Sequence, residues 1–186
     1  MLHQGTGWQK RVKLAGFGGQ GLLLAGTILG KAVILGGKEV LQGQSYGPAS
    51  RGGTCESNLV VSEEDINELS FADQEFDVVV CLSQLAFDRY CRSLKRDGLL
   101  IVDERFVRDV EMAKEGTELR RVPFTDMAEG LGNRGVANVV MLGYVVGQTG
   151  LVSREYLREA VLDTIPTGTE DLNLRALEEG FRLDPR

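Results

Sequence analysis

The segment Gly16-Phe17-Gly18-Gly19-Gln20-Gly21 satisfies the spacing G-x-G-x-x-G. Glycines at those steps permit a tight turn and let backbone N–H groups approach an anion, which the amino end of a following helix also favours. The first chemistry this suggests is a dinucleotide site. Such a site also needs an acid about 20 residues on, at the end of the second strand, to hold a ribose hydroxyl. That strand is expected over Lys38 to Gln42 and runs into Gly43-Gln44. Glu39 lies near its start, and Asp is absent until Asp65. Three readings of the loop stay open: a dinucleotide site, a site for another phosphate-bearing ligand, or a structural or partner-facing turn.

A second unusual stretch follows, with Ser45-Tyr46-Gly47-Pro48 and then Arg51-Gly52-Gly53. In an open α/β sheet it falls at the edge where ligands bind, beside the first loop. Arg51 puts a guanidinium on a backbone able to come close to a carboxylate or phosphate. The alternative is a surface turn with a solvated Arg.

Other chemistry is narrowed by what the chain lacks. His3 is the sole histidine, so a Ser-His-Asp triad, a Cys-His pair and an H-E-x-x-H zinc site have no placed imidazole. Cys55, Cys81 and Cys91 form no C-x-x-C pair, and no disulfide framework, zinc site or iron-sulfur cluster is expected within the chain. A net charge of −6 argues against non-specific nucleic-acid binding, which needs clustered Lys and Arg. The apolar run Val136 to Val146 falls short of the roughly 20 residues of a membrane span. The N-terminus has no apolar core of signal-peptide length, so a cytoplasmic protein is expected.

These loops need elements to hold them. Val12, Leu14 and Ala15 form a strand, and from Leu22 the residues Ala25, Gly26, Leu29, Ala32 and Val33 share one helical face until Gly36-Gly37. Thr54 to Val61 reads as a half-exposed strand, with Glu56 and Asn58 opposite Leu59 and Val61. Asp77 to Leu82 and Leu99 to Val102 read as strands buried on both faces. Ser83 caps a helix to about Leu94, and a strand at Leu119 to Val122 follows. Thr125 is expected to cap a short helix, and another helix covers Val136 to Gln148. Ser153 and Thr169 cap two more, the last closed by Gly180. Residues 1–186 are expected to form a single domain with a tail over 1–10. Its class is α/β, a Rossmann-like open, mostly parallel sheet with helices on both faces.

GFGGQG opening a helix with Ala25-Gly26, followed by SYGPASRGG leading into TCESNLVVS, resembles the gamma subunit of 2-oxoacid:ferredoxin oxidoreductases. The similarity continues through the Asp77 strand, Lys95 to Val102, Val122-Pro123, Ala137-Asn138 with Met141-Leu142-Gly143, and Asn173-Leu174 with Ala176. Within the pyruvate, ketoisovalerate and 2-oxoglutarate groups, RGGTCES is most similar to the 2-oxoglutarate type. The resemblance implies a part in oxidative decarboxylation of a 2-oxoacid to its acyl-CoA, with reduction of ferredoxin. It implies alpha and beta partner subunits, in some members also delta, which hold thiamine diphosphate, magnesium and iron-sulfur clusters. Coenzyme A is the implied co-substrate, and no cofactor or metal is held by this chain alone. Gly16, Gly18, Gly19, Gln20 and Gly21, with Ser45, Tyr46, Gly47, Arg51, Gly52 and Gly53, would then line a ligand or interface edge. No catalytic residue is assigned. The isolated chain is expected to be inactive and prone to pair as a homodimer. A free-standing dinucleotide enzyme and a non-enzymatic assembly module are the competing expectations.

Overall fold

The computed structural model describes residues 8–46, 54–67, 71 and 74–183. Its elements are β1 (Gln9–Phe17), α1 (Leu22–Leu35), β2 (Glu39–Tyr46), β3 (Thr54–Ser62), β4 (Phe76–Cys81), α2 (Gln84–Tyr90), β5 (Leu94–Asp103), β6 (Glu118–Val122), α3 (Phe124–Gly130), α4 (Ala137–Thr149), α5 (Arg154–Leu162) and α6 (Glu170–Arg182). Among the described residues the strands form one sheet in the order β2-β3-β1-β4-β5-β6. β1, β4, β5 and β6 pair in parallel, while β3 is antiparallel to both β1 and β2. β3 alone therefore runs against the rest. The sheet is open, mixed and mostly parallel, and the α/β expectation holds.

Alternation along the strands sends Val12, Leu14, Leu59 and Val80 to one face, where α1 and α4 cover them, and Ala15, Val79 and Val102 to the other, under α2. α5 packs outside α1, and α6 outside α4. The close approach expected at Ala25-Gly26 is present, since a Cβ on Gly26 would stand 2.0 Å from Ser57 Oγ of β3. Among the described residues, no helix is long and apolar enough to cross a membrane.

Several local expectations change. β1 takes in Gln9 and Lys10, which the sequence assigned to a tail. β3 is buried along almost its whole length, because it lies between two strands and its polar side chains find partners: Lys13 Nζ donates to Glu56 Oε2 at 2.6 Å and to Asn58 Oδ1 at 2.7 Å. That ammonium also lies over the rings of Phe76 and Tyr90, and burial pushes the Lys13 amine below its ordinary value. Ser83 and Ser153 cap α2 and α5 as expected. Thr125 and Thr169 do not cap their helices through their side chains. Thr125 lies inside α3, its Oγ1 donating to the buried Asp103 carboxylate at 2.6 Å, while the Thr169 hydroxyl donates to the Pro166 carbonyl. Gly180 does not end α6 but sits within it, where a Cβ would meet the backbone of α4.

Candidate functional site

Two chain connections part at β1 and β4. From β1 the chain crosses by α1 toward β2; from β4 it crosses by α2, on the opposite face, toward β5. In open α/β sheets a crevice forms at the carboxyl ends of the strands where connections diverge in this way. The structure has a cleft of about 310 Å³ there, lined by the glycine loop together with Leu82, Thr125, Arg134, Gly135 and Ala137.

The glycines of the loop do different things. Gly18 and Gly19 face the cleft, and a Cβ on either would meet nothing within 4 Å. Gly19 and Gly21 have φ of 93° and 70°, values that only glycine adopts readily. Gly21 also lies against α4: a Cβ there would stand 2.4 Å from Asn138 Nδ2, which donates to the Gly21 carbonyl at 3.1 Å. Gly16 makes room for Gln20, whose side chain folds back beneath the turn. Gln20 Oε1 accepts from the Phe17 N–H at 2.8 Å, and its Nε2 donates to the Leu82 carbonyl at 2.7 Å. Gln20 therefore clamps the loop to the end of β4.

Electrostatics favour an anion in this cleft. α1 begins at Leu22 behind the loop and α4 begins at Ala137 on the facing wall; neither has a side-chain cap or an acid in its first turn. The free N–H groups at the amino end of α1 add positive potential on that side, whereas α4 continues from a turn whose N–H groups are bonded to Asn133 and Arg134. Arg134 is exposed on the rim with its guanidinium 5.1 Å from the Phe106 ring centre, and Phe106 meets Phe17 edge-on at 6.0 Å. Among the described residues no carboxylate pairs with Arg134. Arg105, on the other side of Phe106, is committed to Asp126 and Glu129. The floor is Thr125, held by both its N–H and its hydroxyl on Asp103, whose carboxyl burial pushes above the ordinary range.

The second predicted loop is only partly visible. Gly47, Arg51, Gly52 and Gly53 lie outside the described residues. Its bases are placed: Tyr46 pairs with Cys55 at the end of β2, and Thr54 pairs with Phe17 at the end of β1. Both loops therefore spring from the same sheet edge. Ser45, however, is exposed and stands across β3 from β1, opposite Glu56. The far wall, with Thr125, Arg134 and Gly135, was not anticipated as part of the site. The one sequence signal for it is Asn133, whose side chain accepts from the Gly135 N–H and starts a single helical turn ahead of α4.

Among the described residues, no group of three or more His, Cys, Asp or Glu side chains is arranged to hold a metal ion. Among the described residues the cleft presents the glycine-loop backbone, the Phe17 ring, Thr125 and the Arg134 guanidinium.

The chain is similar in sequence and fold to known proteins. The chain is 42% identical over 177 residues to the 2-oxoglutarate synthase subunit KorC of Methanocaldococcus jannaschii, covering 94% of each. A solved gamma subunit of a keto/oxoacid ferredoxin oxidoreductase from Geobacter sulfurreducens superposes with a TM-score of 0.81 at 35% identity, over 92% of this chain and 96% of that one. The pyruvate oxidoreductase subunit PORC of Thermotoga maritima superposes with a TM-score of 0.71 at 28% identity, over 93% and 95%. The family model described as pyruvate ferredoxin/flavodoxin oxidoreductase matches residues 11–183, and the chain belongs to that family.

Proposed function

We propose that this chain is the gamma subunit of a multi-subunit 2-oxoglutarate:ferredoxin oxidoreductase. In this reading the complex decarboxylates 2-oxoglutarate oxidatively, passes electrons to ferredoxin and releases the acyl group as its coenzyme A ester. The observation that carries it is the 42% identity to a 2-oxoglutarate synthase subunit across 94% of both chains. Residues 1–186 act as one gamma-type domain against alpha and beta subunits, and delta where the complex has one. Those partners hold thiamine diphosphate, magnesium and the iron-sulfur clusters. The assembly works in the cytoplasm.

The glycine-loop cleft takes the phosphate-bearing part of coenzyme A, whose thiol accepts the acyl group. The N–H groups at Gly18 and Gly19 approach the anion, since no side chain intervenes. The amino end of α1 with Arg134 supplies the positive field, and Phe17 and Phe106 offer aromatic edges.

A dinucleotide enzyme fits this geometry less well. Its ribose-binding acid would have to lie at the tip of a strand next to β1. Here β3 occupies that place, and β2, ending in Ser45-Tyr46, stands two strand spacings away, roughly 10 Å.

The test is reconstitution. The chain is co-expressed with its alpha and beta subunits, and ferredoxin reduction is measured with 2-oxoglutarate, pyruvate and 2-oxoisovalerate in turn. The expected result is coenzyme A-dependent activity that requires this chain and is highest with 2-oxoglutarate. Full activity without the chain would remove its role, and a preference for another 2-oxoacid would remove the substrate assignment.

A further inference from the structure

A second cleft, of about 480 Å³, opens at the far side of the sheet beside the edge strand β6, lined in part by Glu104, Arg120, Val122, Tyr144 and Arg182. Tyr144, on α4, is only 2% exposed and its ring meets Phe124 edge-on at 5.8 Å. Its hydroxyl makes no hydrogen bond to any described residue. The residue is buried but its hydroxyl oxygen is not among the buried unpartnered atoms, so it opens on the cleft. The position of Tyr144 in the cleft wall gives this hydroxyl one open direction.

The neighbouring groups define what would complete it. Arg120 shares its strand face with Val122, toward Tyr144, whereas Arg121 turns to the opposite face and donates to the Val107 carbonyl. Burial raises the Tyr144 hydroxyl, with the field of Arg120 lowering it and that of Glu118 raising it, so it keeps its proton at neutral pH and is available as a donor. Arg120 already pairs with Glu118, but Glu118 is 58% exposed against 23% for Arg120. A guanidinium has five N–H donors and serves more than one acceptor. Arg182 pairs with Glu179 and stands at the other side of the cleft.

We propose that this cleft is a second binding site, for a carboxylate group, with the Tyr144 hydroxyl and the Arg120 guanidinium as its donors. Both offer protons to an acceptor-only ligand, and a carboxylate matches the planar guanidinium fork. With Glu104 and Glu118 close by, a singly charged group fits better than a doubly charged phosphate. The carboxylate comes either from a free small acid or from an Asp or Glu side chain of another subunit.

Two measurements separate these sources. In the first, the full chain is titrated with acetate at constant ionic strength, and the amide signals of 118–122 and 144 are followed by NMR. Tyr144→Phe keeps the ring and removes only the hydroxyl, and an unchanged spectrum away from the cleft reports that it folds. Saturable acetate shifts that weaken about tenfold in Tyr144→Phe, and also weaken in Arg120→Gln, support the site for a free acid. The second measurement is the affinity of the chain for its alpha and beta subunits, an arm that rests on the gamma-subunit reading. A similar weakening by Tyr144→Phe supports a partner side chain, while failure of the wild type to assemble would count against that reading alone, the acetate arm standing by itself. The proposal is overturned if Tyr144→Phe changes neither measurement, or if inorganic phosphate binds the cleft more tightly than acetate does.

Discussion

Gly16 and Gly18 stand two residues apart in one loop, and a methyl group at each would meet different surroundings. At Gly18 it would project into empty cleft, whereas at Gly16 it would stand 2.2 Å from Gln20 Oε1. Gly18→Ala is therefore expected to leave stability within about 0.5 kcal/mol, while lowering the coenzyme A-dependent rate of the reconstituted complex roughly tenfold by displacing the ligand. Gly16→Ala would push Gln20 off its two hydrogen bonds, to Phe17 and Leu82, and cost about 1–3 kcal/mol. Chemical denaturation and steady-state rates on the same pair of variants check both outcomes. A Gly18→Ala complex with an unaltered response to coenzyme A would make the cleft a structural turn.

Between elements, the closest fit is that of α4 on α6. A Cβ on Gly180 would stand 2.1 Å from the Val140 carbonyl oxygen, and one on Gly143 would stand 2.4 Å from that of Leu177. Backbone on both sides cannot yield as a side-chain tip does, so Gly180→Ala is expected to separate the helices and cost at least about 1–3 kcal/mol. Urea unfolding measures this, and a neutral result would mean that the helices slide apart freely. The sequence spells Gly180 but not this contact, which depends on a partner helix some forty positions earlier; read locally, a glycine near a helix end is a terminator. The same limit explains Thr125, a good cap by type that Asp103 captures instead. What local pattern conveys well is the glycine turn, the buried runs of β4 and β5, and the Ser83 and Ser153 caps, because each depends on neighbours within one element. The antiparallel insertion of β3 and the Arg134 wall of the cleft depend on pairings between distant segments, and no short window of residues contains them.

Over the whole molecule, the two edges of the sheet carry different duties. At the edge opposite the glycine loop, Asp77 accepts from Lys95 Nζ at 2.8 Å, from the Arg11 N–H at 2.8 Å and from Lys10 Nζ at 3.3 Å. Burial by itself would raise this carboxyl, but Lys95, the Arg11 N–H and Lys10 together hold it below its ordinary value. A depressed folded-state value means stability that is present above the unfolded value of about 3.9 and is lost as pH falls through the folded one. Asp77→Asn is therefore expected to be less stable than wild type near neutral pH, with the gap closing on acidification below about pH 4. Urea melts at several pH values test this, and a gap independent of pH would contradict it. Coenzyme A dependence should not change, because the cluster lies away from the cleft. The position of β3 has a further consequence, for synthesis of the chain. β1 pairs with β3 and β4, both of which follow it in sequence, and has neither neighbour when α1 and β2 leave the ribosome. The strand that carries the glycine loop thus keeps both edges open until β3 has emerged at Ser62, and one of them until β4 is complete at Cys81, which makes the first eighty residues a single unit of co-translational risk.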